Sequence, residues 1–173
     1  MEELFTSDVV YDLTDRMNHH DATQEEEPPE HLRFWAYLSK LEHVTEADEV
    51  DLVSEVLTDP DQTMAQSAVL RHLDRRATDL HSGSAYDPWV EKMTQATTRY
   101  PFLTQRLREW CLFRAVTLGQ LWRPDALLES SSWFQLKTAE ATNAAALEIL
   151  ADRGRTKRIR NTARMNLLRQ NRR

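Results

Sequence analysis

The chain has 173 residues, 29% of them charged, and a formal net charge of −6, which is long enough to bury a sizeable core in one domain. It contains no apolar run of the roughly 18 residues that a membrane span needs, and its acidic start, Met1-Glu2-Glu3-Leu4-Phe5, lacks the basic and then apolar pattern of a secretory signal. Cys111 is the only cysteine, which excludes an intramolecular disulfide and fits a reducing cytoplasm.

Only 3 Gly and 6 Pro occur, and the β-branched residues are scattered rather than alternating. This composition favours an all-α fold, an antiparallel helical array read here as one domain over 1–173 with a sub-boundary near 80–87.

Ser7 and Asp8 suit a helix start, and Val9, Leu13 and Met17 form one stripe of a helix over 7–18. Residues 19–29 read as a flexible loop, with a Glu run ending in Pro28-Pro29. His19 and His20 are adjacent, so they do not share a helical face, and no metal site is expected there.

The prolines lead into a helix over 30–43, with Phe34, Leu38 and Leu41 inward and Trp35 on the flank. Thr45 and Asp48 resemble a capping box before a helix over 46–58 that packs through Val50, Val53, Val56 and Leu57. Pro60 breaks that helix, and Asp61 starts another that runs to 78. On it Ala65, Ala68, Val69, His72 and Leu73 share an arc. His72 is then either a general base or ligand or a core histidine bonded to a backbone carbonyl, and the second reading is preferred because no partner for chemistry is visible.

Asp87-Pro88 gives a cap and first-turn proline for a helix to about 99, with Trp89, Val90 and Met93 buried. Tyr100-Pro101 restarts the chain. The helix over 101–122 is the most apolar, with Leu103, Leu107, Trp110, Cys111, Leu118 and Leu121 along one face. Gly119 is expected to allow close helix approach. Arg114 lies in the middle of the apolar stripe, so its guanidinium needs a partner. That partner is either a bound anion or phosphate or, by preference, a carboxylate of a neighbouring helix. Cys111 reads as a small core residue.

Three triplets share one spacing: Leu57/Met64/Ala68, Leu128/Gln135/Ala139 and Leu150/Ile159/Ala163. In each, a Leu closes one helix, the second residue opens the next, and an Ala four places on permits tight packing. Such a helix pair cannot bury its apolar face without a neighbour. The stretch 126–168, through Ala126-Leu127-Leu128…Leu136-Lys137-Thr138-Ala139 and Ala146-Leu147-Glu148-Ile149-Leu150…Ile159-Arg160-Asn161-Thr162-Ala163, resembles HEAT-like α-helical repeats. The resemblance implies an α-solenoid in the C-terminal half, and a plain antiparallel bundle remains the alternative. Gln135 departs from the aliphatic residue usual at that position. Trp133 and Phe134 either wedge between helix layers or form an exposed docking pair for a protein.

Charge is divided unevenly. Residues 152–173 hold nine Arg/Lys against Asp152 alone, a local +8, which leaves −14 for the rest of the chain. On a helix beginning near 156, Ile159, Ala163 and Leu167 point one way, while Lys157, Arg160 and Arg164 form a cationic stripe, with Arg155 and Arg158 near the first turn and residues 170–173 a frayed basic tail. This stripe could bind an acidic protein, including a second copy of this chain, or hold nucleic-acid phosphates, or simply face solvent. No phosphate-cradling glycine loop, His-Glu-x-x-His or activated nucleophile is present. The expectation is therefore a non-enzymatic cytoplasmic interaction protein, an adaptor, inhibitor or regulatory subunit without a cofactor. A nucleic-acid-binding repeat protein using Arg155, Lys157, Arg158, Arg160 and Arg164 is the alternative.

Overall fold

A computed structural model describes residues 29–170, which fold into nine helices with no strand among the described residues. The helix expected over 7–18 and the loop expected over 19–28 lie outside them.

The helices are α1 (Glu30–His43), α2 (Glu49–Val56), α3 (Gln62–Leu80), α4 (Tyr86–Ala96), α5 (Pro101–Thr117), α6 (Pro124–Glu129), α7 (Ser132–Ala139), α8 (Ala144–Arg153) and α9 (Lys157–Gln170). Several starts are fixed by a side-chain cap that accepts an otherwise orphan backbone N–H. Asp61 caps α3 at 3.0 Å from the Met64 nitrogen, Ser131 caps α7 at 3.2 Å from Phe134, and Asn143 caps α8 at 2.9 Å from Ala146. Pro101 and Pro124 open α5 and α6, where the missing N–H costs nothing.

The packing alternates. The odd-numbered helices form one row, α1 on α3, α3 on α5, α5 on α7 and α7 on α9. The even-numbered helices form the second row, which is continuous between α2 and α4 and again between α6 and α8. Two apolar cores result. Leu41, Val53, Val56, Val69, Leu73, Met93, Leu103 and Leu107 belong to the first, and Val116, Leu127, Phe134, Leu147, Leu150 and Ile159 to the second. α5 serves both, and Phe113 and Trp133 touch each core. The Ala residues of the three triplets, Ala68, Ala139 and Ala163, are all fully buried, as close helix contact requires.

Several expectations are corrected. α5 stops at Thr117, not 122. Gly119 has φ +67°, and the Gln120 N–H bonds back to the Ala115 carbonyl at 2.9 Å, the Schellman termination of a helix. No neighbour approaches within 4 Å of a Cβ built there, so Gly119 serves a left-handed turn and not helix contact. Beyond it, Leu118 is exposed and Leu121 is 99% exposed, so both leave the core. Cys111 also lies at the surface. In the second triplet Leu127, not Leu128, is the fully buried leucine. Thr45 and Asp48 do interact, at 2.6 Å and 3.3 Å, but α2 begins only at Glu49. Asp87 lies inside the first turn of α4 and does not cap it.

Candidate functional site

Buried polar side chains, Glu49, His72, Arg106, Glu109 and Gln135 among them, tie the helices to one another. Glu49, at the start of α2, is buried. Its Oε1 accepts from His72 Nε2 at 2.7 Å, Trp89 Nε1 at 2.9 Å and Arg76 Nε at 3.0 Å. Burial alone pushes a carboxyl up, but the His72, Trp89 and Arg76 hydrogen bonds outweigh it and hold Glu49 down at about 2. Arg75 donates to His72 Nδ1 at 3.3 Å and to the Leu41 carbonyl at 2.7 Å. With Nδ1 accepting, Nε2 is the donor toward Glu49. His72 is thus a core histidine, as preferred, but its partner is a carboxylate and not a backbone carbonyl.

Arg106 is buried, pairs with Asp74 at 2.8 Å and stacks 3.5 Å from the Trp133 ring centroid. Glu109 caps the turn before α7, accepting from the Ser131 backbone at 2.8 Å and the Ser131 hydroxyl at 3.0 Å. Gln135 is fully buried. Its Nε2 donates to the Leu128 carbonyl at 2.9 Å, with Leu127 at 3.3 Å, and its Oε1 accepts the Arg155 N–H at 2.9 Å.

Arg114 has its needs met within the fold. It donates to the His81 carbonyl at 2.8 Å and the Gly83 carbonyl at 3.3 Å, pairs with Asp87 at 3.1 Å, and lies 4.8 Å from the Tyr86 ring centroid. The Asp87 contact is an ion pair with a neighbouring helix, α4, at 3.1 Å. Phe134 is fully buried and presents no docking surface. Trp133 is half-buried between Trp110, at 5.9 Å, and the Arg106 guanidinium. The Lys137 ammonium lies 4.5 Å from the Trp110 ring centroid and 4.8 Å from that of Phe113. Both aromatics wedge between layers.

The basic helix α9 packs on α7 and α8 through Ile159 and Ala163, which are buried, and Leu167, which is half-buried. Thr156 caps it, accepting the Ile159 N–H at 3.2 Å, and Asn166 donates to the Ala139 carbonyl at 2.6 Å. Its solvent face carries Lys157, Arg158, Asn161, Arg164, Met165, Leu168 and Arg169, all exposed. Arg160 is the exception within the expected stripe. It is half-buried and donates to the Gly154 carbonyl at 2.7 Å, so it secures the α8–α9 turn. Arg155 is exposed and reaches the Glu129 carbonyl at 3.4 Å.

Among the described residues, no carboxylate pairs with Arg155, Lys157, Arg158, Arg160, Arg164 or Arg169. Met165 and Leu168, each 53% exposed, sit among these cations. The only sequence signal of this apolar pair is the i, i+3 spacing of Met165 and Leu168 opposite the Ile159/Ala163 stripe.

No group of three His, Cys, Asp or Glu side chains is placed to hold a metal among the described residues, and no helix there is long and apolar enough to cross a membrane. In comparisons with known proteins, no family model, no curated protein and no solved structure gives a significant match to this chain.

Proposed function

We propose that this chain is a HEAT-like helical-repeat interaction protein of the cytoplasm, a non-enzymatic adaptor, inhibitor or regulatory subunit that grips an acidic protein surface with α9. The observation that carries this is the solvent face of α9. Lys157, Arg158 and Arg164 surround Met165 and Leu168, and no carboxylate pairs with those cations among the described residues. A surface that mixes unpaired cations with exposed apolar side chains fits a protein partner. Carboxylates at the rim steer the encounter, and apolar contact supplies the desolvated centre. A phosphate backbone would use the cations but leave Met165 and Leu168 without a counterpart. The alternation of odd and even rows, with a fully buried Ala in each triplet, supports the repeat reading.

The test is a pull-down of tagged full-length protein from its native extract, with and without nuclease, beside a variant carrying Arg158→Glu and Arg164→Glu. The expected result is a bound protein that survives nuclease, weakens as salt rises and is lost in the variant. If nuclease removes all bound material, α9 is a nucleic-acid grip. If the variant retains the partner, the interface lies elsewhere.

A further inference from the structure

We propose that the groove between α1 and α3 is the seat of the chain's own N-terminal segment, docked through residues 8–17 in cis. The groove is a cavity of about 430 Å³ lined by Trp35, Leu38, Ser39 and Glu42 of α1 and Arg71, His72 and Arg75 of α3. Trp35 is 60% exposed on its rim, and Leu32, one turn earlier on the same face, is 52% exposed. Among the described residues α1 is the first helix of the odd row, and its main contact in that row is with α3. A terminal element of a stacked array leaves one apolar flank open unless something caps it.

The rim is cationic. Arg71 is exposed and has no ion pair among the described residues. Arg75 reaches Glu42 only at 4.0 Å, across an exposed contact. Glu42 is the one carboxylate on the wall, and its side chain is 65% exposed at the rim. Arg71 and Arg75 stand four residues apart, one turn on the same helix face.

The occupant is identified by its chemistry and by its tether. The 28 residues before Pro29 carry nine Asp/Glu against Arg16 alone. On a helix, Val9, Leu13 and Met17 make an apolar stripe, with Asp8, Asp12 and Asp15 along its edge. Asp8 and Asp12 repeat the four-residue spacing of Arg71 and Arg75, so one stripe can meet Trp35 and Leu38 while the other meets the two guanidinium groups.

Reach favours this seat. Residues 19–28 extend up to roughly 30 Å, whereas α1 from Glu30 to Glu42 is only about 18 Å long. A returning helix can therefore lie along α1 with slack to spare. The cationic face of α9 in the same chain lies four interhelical steps away along the odd row, roughly 35 Å at ordinary helix spacing, which takes the tether to its limit. A short tether also raises the local concentration of the segment to roughly the millimolar range. This seat is independent of the α9 reading and survives if that reading fails.

Disulfide trapping in the full-length protein tests it, in a Cys111→Ser background. Asp12→Cys with Arg71→Cys is expected to close an intramolecular disulfide under mild oxidation, while Asp12→Cys with Arg158→Cys is not. In the otherwise unaltered chain, Arg71→Glu with Arg75→Glu should speed amide hydrogen exchange of residues 8–17 at least about tenfold. Adding Asp8→Arg and Asp12→Arg should restore the slow exchange. Preferential trapping with Arg158→Cys would move the segment to α9 and overturn the proposal. Disulfide-linked dimers would make a second copy the occupant and overturn the cis seat. No trapping, with exchange unaffected by the charge reversal, would leave the groove to an outside partner and overturn it as well.

Discussion

Gln135 Oε1 accepts the backbone N–H of Arg155 at 2.9 Å, and that bond fixes where the cationic stretch starts relative to α7. The other end of the same amide donates to the Leu128 carbonyl at 2.9 Å. One buried side chain therefore closes the last turn of α6 and holds the α8–α9 connection. An aliphatic residue here would fill the volume but leave an amide N–H and at least one carbonyl unpaired in a dry site. Gln135→Leu is expected to cost about 1–3 kcal/mol in chemical denaturation and to speed exchange of the Arg155 amide, while Gln135→Glu should cost more because it also buries a charge.

Gly154, at the end of α8, is buried and has ordinary negative φ, yet a side chain does not fit. A Cβ there would lie 2.5 Å from the Leu150 carbonyl oxygen and 2.7 Å from Ile159 Cγ2. Because the obstacles are helix backbone and a core methyl, relief requires α9 to shift. Gly154→Ala should destabilise by roughly 1–3 kcal/mol and, on the proposed α9 interface, weaken binding more than its distance from the exposed cations would suggest. A thermal melt and a binding isotherm on the same sample check both effects.

The sequence made the helices legible because their signals are local. Asp61 as a cap, Pro101 and Pro124 as openers, and the buried Ala of each triplet are all readable within four residues of where they act. What it hid was long-range. Glu49 finds His72 23 residues away and Trp89 40 away, and Arg106 finds Asp74 32 residues back. A charged residue at the edge of an apolar stripe, such as Arg106, gives no local hint of such partners, whereas Arg114 stands out because it interrupts the stripe itself. Gly119 misled because glycine within an apolar run reads as helix interior, and only its φ of +67° reveals a stop. Of the expected basic stripe, Arg160 alone turns partly inward, for a packing reason. α9 rests on both α7 and α8, so its inward arc is broad enough to take in Arg160.

Acid should loosen the first core through Glu49. Glu49 is held at about 2 in the fold, against roughly 4.3 in an unfolded chain. A depressed carboxyl contributes stability that is complete above the unfolded value and fades as pH falls toward the folded one. The window is therefore about pH 5 down to pH 2, and the stability lost across it is on the order of 2 kcal/mol after allowing for screening at the Arg76 edge. Asp59 is lowered too: burial raises it, and the Asp61 amide, Tyr37 and Arg33 more than compensate. Urea denaturation at stepped pH should show the loss, and Glu49→Gln should flatten that part of the profile. An unchanged slope in Glu49→Gln would place the acid sensitivity elsewhere.

Two arginines two residues apart on α9 are expected to behave oppositely. Arg158 is exposed and near the helix N-terminus, where positive charge opposes the helix dipole. Arg158→Glu should therefore stabilise the fold by about 0.3–1 kcal/mol at low salt while removing a cation from the face proposed to bind a partner. Arg160 donates to the Gly154 carbonyl at 2.7 Å and is half-buried. Arg160→Ala should destabilise by about 1–2 kcal/mol, through the lost bond and the lost packing of its aliphatic stem. Thermal melts and partner titrations on both variants separate the roles. Arg158→Glu should melt higher and bind worse, and Arg160→Ala should melt lower, with its binding defect tracking the fraction unfolded. If both variants lose binding at unchanged stability, Arg160 belongs to the interface after all.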